Sequence, residues 1–170
     1  MPLARNSHGR AAVSDAPWPQ RKRIRLPLEA YTESGTICSV TIGLHNRRPV
    51  FAAVRAAAAT VEVLRDRARG TGVPVYGYCV MPDHVHLLLG PSVDCDIVTF
   101  VGQFKNLAQR ALWKLGVQGK LWQAGFYDHF LRSDEQVERV VEYVLDNPVR
   151  AGLVAERGEY PFSGSLVFDL

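Results

Sequence analysis

Tyr78-Cys79-Val80-Met81-Pro82-Asp83-His84-Val85-His86-Leu87-Leu88-Leu89 sets two apolar runs on either side of a Pro-Asp dipeptide. Pro and Asp favour a tight turn, and the runs beside them suit paired strands. Side chains alternate faces along an extended strand. His84 and His86 therefore project together, while Val85, Leu87 and Leu89 go to the other face. Two imidazoles side by side make half of a site for a divalent metal. A structural histidine pair would show the same spacing.

Working outward, Ile37 to Leu44 alternates with β-branched residues and predicts a strand. Pro49 suits a helix start, and the alanine-rich stretch from Val50 to about Ala68 has helical spacing, with Gly70 as its expected C-terminal cap. Val73 to Val80 and His84 to Gly90 are the second and third strands, joined at Pro82-Asp83. A second helix is expected from Ile97 to about Leu115, stopped by Gly116, and a short fourth strand from Tyr127 to Arg132. Ser133-Asp134-Glu135-Gln136 has capping-box spacing for a third helix running to about Asp146, which Pro148 ends. The order β-α-β-β-α-β plus a helix is α+β. It predicts a ferredoxin-like split β-α-β with a central antiparallel sheet, followed by a C-terminal helix that carries Tyr143.

The 170 residues suit one domain with a hydrophobic core. We expect a flexible basic N-terminal arm over 1–22 and a single domain over 23–170. No apolar run is long enough for a membrane span and no signal-peptide segment is evident, so an intracellular, cytoplasmic protein is expected. Cys38, Cys79 and Cys95 form no Cys-x-x-Cys, which argues against a disulfide framework or zinc knuckle.

The net charge of +3 is unevenly spread. Arg5, Arg10, Arg21, Lys22, Arg23 and Arg25 face only Asp15 near the N-terminus. Between Asp96 and Asp128 there is no carboxylate, while Lys105, Arg110, Lys114 and Lys120 alternate with Phe104, Trp113 and Trp122. Cations interleaved with aromatics suit a surface that neutralises a nucleic-acid backbone and stacks its bases. A solvated helix face over core aromatics has the same pattern.

On the third helix, Val137, Val140, Val141 and Val144 form the core stripe at about 100° per residue. Tyr143 sits at its edge, and Asn147 lies one turn on along the same flank. A tyrosine hydroxyl, with a pKa of about 10, needs help to attack phosphorus. A divalent ion beside it would polarise the scissile phosphate. Asn147 reads either as a third ligand through its amide oxygen or as the helix stop that Asn-Pro commonly makes. Lys105 reads as a phosphate contact or an exposed helix lysine, and His129 as a structural strand residue or a substrate contact.

Met81-Pro82-Asp83-His84-Val85-His86-Leu87-Leu88 and Val141-Glu142-Tyr143-Val144-Leu145-Asp146-Asn147-Pro148-Val149-Arg150-Ala151-Gly152-Leu153 resemble the single-tyrosine HUH transposases of small insertion sequences. Trp122-Gln123-Ala124-Gly125-Phe126-Tyr127-Asp128-His129 and Tyr160-Pro161-Phe162-Ser163 fit the REP-associated tyrosine transposase branch. The resemblance implies His84 and His86 as metal ligands with Asn147 at the third-ligand position, Tyr143 as nucleophile, and Mg2+ or Mn2+ as cofactor. It further implies single-stranded DNA with REP-like hairpins as substrate, cleaved and rejoined through a covalent 5′-phosphotyrosine, by a monomer or a homodimer. Lys105, Arg110, Lys114, His129, Arg21, Lys22 and Arg23 are the expected DNA contacts. The rival is a hairpin DNA- or RNA-binding protein on the same fold that does not cleave. A phosphodiesterase with paired His-x-Thr or His-x-Ser motifs is disfavoured, since neither motif occurs.

Overall fold

The computed structural model describes residues 27–132 and 136–169. Arg21, Lys22, Arg23 and the expected arm lie outside the described residues, as do Ser133, Asp134 and Glu135 of the expected capping box. The elements are β1 (Cys38–Gly43), α1 (Val54–Thr71), β2 (Val75–Met81), β3 (His84–Leu89), α2 (Ile97–Lys114), β4 (Tyr127–Phe130), α3 (Val137–Leu145), α4 (Asn147–Arg150) and β5 (Ser163–Gly164). The strands form one sheet in the order β4-β1-β3-β2-β5. Every neighbouring pair is antiparallel. This is the expected split β-α-β arrangement with a two-residue strand added on the β2 edge.

The two faces of the sheet are covered differently. Val85, Leu87 and Leu89 pack with Leu64 of α1 and with Phe100, Phe104 and Leu112 of α2 in the main core. On the other face, Leu88 packs against Val140, Val141 and Leu145 of α3, and Cys79 and Met81 pack against Val144. The one-residue alternation of β3 thus places His84 and His86 on the α3 side.

Several boundaries differ from expectation for local reasons. The segment after Pro49 makes a 3₁₀ turn over Val50–Ala52, and α1 begins only at Val54. The buried Phe51 ties that turn down by donating its N–H to Pro82 O (3.0 Å), before extended Ala53 lets the helix start. Gly72, at φ 67°, caps α1 by donating to Ala68 O, and Gly70 lies within the helix. Pro148 does not end helical structure outright: α3 stops at Leu145, and Pro148 lies in the first turn of α4. Gln136 occupies the N-cap of α3 without a side-chain cap. Of the interleaved aromatics on and after α2, Phe104 and Trp122 are core residues, and only Trp113 is exposed.

Candidate active site

The tight turn at Pro82-Asp83 delivers the histidines in a fixed pose. His84 Nδ1 meets Asp83 Oδ1 at 2.6 Å, and His86 Nδ1 meets Thr41 Oγ1 at 3.1 Å. A carboxylate only accepts, so His84 carries a proton on Nδ1 and turns its Nε2 inward. Thr41 Oγ1 both donates and accepts, so it serves either tautomer of His86. The two Nε2 atoms lie 2.9 Å apart. Neighbouring ligands of an octahedral ion with bonds of about 2.1 Å stand about 3 Å apart, so the pair fits the bite of a small divalent cation. Engaged Nδ1 atoms behind inward Nε2 atoms are also the arrangement that orients metal-binding histidines.

The electrostatics favour a neutral His86. Burial first, then the charges of His84 and Arg150, push the His86 imidazole down to about 3, with Asp83 opposing. Burial alone would raise the Asp83 carboxyl. Hydrogen bonds and attraction from His84, then from Arg47, outweigh it and hold Asp83 below the usual range. Arg47 Nε donates to Asp83 Oδ2 at 2.9 Å. Asn46 and Arg47 both take left-handed backbone, at φ 55° and 50°.

Tyr143 lies half-buried on α3, and Arg150 holds it in two ways. Arg150 Nη2 donates to the Tyr143 hydroxyl at 2.7 Å, and its guanidinium carbon sits 3.9 Å from the ring centroid. The same cation reaches His86 electrostatically, so hydroxyl, guanidinium and histidine pair share one neighbourhood. Asn147 is buried beneath. Its Nδ2 donates to Tyr143 O (3.2 Å) and Val144 O (3.0 Å), closing the end of α3. The helix-stop role is therefore present, and no hydrogen bond to Asn147 Oδ1 is found among the described residues. Among those residues, no three His, Cys, Asp or Glu side chains converge as a metal cluster.

The expected DNA contacts on α2 are not gathered here. Lys105, Arg110 and Lys114 lie on α2, which covers the opposite face of the sheet. Lys105 Nζ donates to Gln123 O and Gly125 O, both at 2.9 Å, pinning the loop before β4. Arg110 and Lys114 are exposed. His129 is half-buried on β4 opposite Ser39, two residues from Tyr127, and so lies on the same face of the sheet as the histidines. Asp83, Thr41 and Arg150 carry the site without having been singled out from sequence. A carboxylate directly before a histidine was a usable signal for Asp83; Thr41 and Arg150 gave none before pairing and helix geometry were known.

A family model for IS200-like transposases matches residues 36–147. The REP-associated tyrosine transposase of Escherichia coli (strain K12) is 27% identical over 137 residues, 78% of this chain and 78% of that protein. A solved structure of a REP-associated tyrosine transposase bound to a REP hairpin superposes with a TM-score of 0.67 at 24% identity, covering 84% of this chain and 82% of that one. At that identity the structural likeness is one of fold.

Proposed function

Because the chain belongs to the IS200-like transposase family, a family of DNA-processing enzymes, we propose that it cleaves and rejoins single-stranded DNA beside REP-like hairpins through a covalent 5′-phosphotyrosine. The observation that carries this reading is the Arg150 donor 2.7 Å from the Tyr143 hydroxyl, on a guanidinium whose charge also reaches His86 of the histidine pair. The hairpin as substrate is supported by the E. coli relative and by the hairpin-bound protein of the same fold.

Tyr143 Oη attacks the scissile phosphorus, forming the O–P bond as the P–O3′ bond breaks. The electron pair leaves on O3′, which takes a proton from water; the phenolic proton goes to solvent. Arg150 donates to the attacking oxygen and fixes where it points. A phosphorus placed for in-line attack, about 3–3.5 Å from Oη, brings its own oxygens within reach of the same guanidinium. Arg150 thus spans nucleophile and substrate and meets the charge that grows between them. Asp83 and Thr41 orient His84 and His86, and these two, with Asn147 Oδ1, are the residues to hold Mg2+ or Mn2+. The bound ion would supply Lewis-acid stabilisation of the phosphate oxygens. Asn147 Nδ2 fixes the end of the helix that presents Tyr143. The phosphodiester bond energy is retained in the tyrosine link, so rejoining requires no ATP.

Among the described residues no helix is long and apolar enough to cross a membrane. We place the activity in the cytoplasm with the nucleoid, by a monomer or homodimer. The test is a labelled hairpin with a single-stranded foot, incubated with Mn2+ and then denatured. A protein–DNA adduct that chelator prevents is expected. Hairpin binding with no adduct would favour the non-cleaving reading.

A further inference from the structure

Two rows of residues cross the sheet on the histidine face. In one, His86 pairs with Thr41, and Thr41 with Tyr127. In the other, His84 pairs with Gly43, and Gly43 O accepts the N–H of Gln123 at 2.9 Å, next to the Leu44–Trp122 bridge. Directly opposed residues of a sheet point to the same face. The Thr41–His86 contact identifies that face for β1, so Gln123 and Tyr127 share it with the histidines. On this face β1 contributes the small residues Ser39, Thr41 and Gly43, and α3 packs on β2 and β3. The result is a trough with a floor of small residues between Tyr143 and the β4 edge.

Gly43 shows what lies in the trough. A Cβ there would stand 2.8 Å from Gln123 Oε1 and 3.2 Å from Nε2, so the carboxamide lies across the glycine beside His84. Gln123 is half-buried, and no hydrogen bond to its carboxamide is found among the described residues. Its backbone is held firmly: Lys105 grips the carbonyls of Gln123 and Gly125, and Trp122 Nε1 donates to Lys105 O at 2.8 Å. One row along, the Tyr127 ring is 50% exposed.

We propose that Gln123 and Tyr127 form a subsite for one unpaired nucleobase of the strand that is cut, with Gln123 hydrogen-bonding the base edge and Tyr127 stacking on its face. The inference rests on the proposed cleavage function and assigns its specificity. An amide offers donor and acceptor together, which matches a base edge. A phosphate offers acceptors only and would leave Oε1 unpaired. An exposed ring beside the amide supplies the stacking surface single-stranded binders use. The pinned loop presents the amide already ordered, so little freedom is lost on binding.

The test measures binding of Tyr143→Phe protein, in chelator, to hairpins whose single-stranded foot carries each base or an abasic site at each position. One position is expected to show a base preference of about tenfold. Gln123→Ala should flatten that preference to less than about twofold and leave abasic binding unchanged. Gly43→Ala should do the same with Gln123 present, because its Cβ meets only the far end of the glutamine side chain. Tyr127→Ala should weaken binding of every base there by about tenfold, and Tyr127→Phe should restore it. No preference at any position, or a preference that survives both Gln123→Ala and Gly43→Ala, overturns the subsite. Parent protein that forms the covalent adduct while these variants bind like it overturns the subsite alone; failure to form the adduct overturns the cleavage function on which it rests.

Discussion

The two faces of β3 are one residue apart and differ in kind. Val85, Leu87 and Leu89 are fully buried among two 18-residue helices. His84 and His86 look the other way, toward a trough that a nine-residue helix only partly covers. One face secures the fold; the other is left open for chemistry. The comparison teaches that a site built on a strand inherits its rigidity from the side it does not use.

This division is open to test. The largest effect is expected from Tyr143→Phe. Cleavage should fall on the order of 10⁴-fold or more. Stability should change by less than about 1 kcal/mol, since only a half-buried hydroxyl is lost. A surviving adduct would remove Tyr143 as nucleophile. Leu87→Ala should behave inversely. A loss of about 2–5 kcal/mol is expected in denaturant unfolding. Cleavage per folded molecule should hold within about twofold. A collapse of specific activity would mean that the faces are not separable.

Arg150→Ala should slow single-turnover cleavage by about 10²-fold, as loss of one charge-stabilising donor does. It should also tighten Mn2+ binding measured by calorimetry, because a cation that reaches His86 has gone. Unchanged metal affinity would place Arg150 outside the shared field of the site. Asn147→Ala is the smallest. Losing two donors to the end of α3 should cost about 1–2 kcal/mol. If Oδ1 is also a ligand, the Mn2+ concentration for half-maximal cleavage rises and excess Mn2+ partly restores the rate. An unshifted titration leaves Asn147 as a cap alone.

Much of this was legible in the sequence because it is periodic. Alternation in Ile37 to Leu44 and around His84 to Leu89 names strands and faces directly, and the valine stripe names the inner side of α3. The element order then limits the sheet to few topologies. What was hidden depends on tertiary encounters. β5 is two residues long and has no period to read. Gly70 and Gly72 are equivalent in sequence, and only the position of the last helical carbonyls selects Gly72. Lys105 reads as a free cation until the carbonyls of Gln123 and Gly125 meet it. Arg150 stands seven residues from Tyr143. On one unbroken helix that is about 10 Å along the axis, and the break at Asp146 with the new turn at Pro148 is what folds its guanidinium back over the ring.

The left-handed pair Asn46–Arg47 carries one more consequence. L-residues resist that conformation by about 1–2 kcal/mol each, Asn least. The return in folding energy is small, since the Arg47–Asp83 contact is largely exposed. Glycine at position 47 would relax the backbone and cost the fold little. It would also release Asp83, and with it the tilt of the His84 ring. The turn thus carries a backbone cost that serves one contact, Arg47 to Asp83, and Asp83 in turn holds His84. Selection for thermal stability alone would remove that cost. Libraries screened for stability and for cleavage should therefore diverge first at Arg47, ahead of any residue in the core.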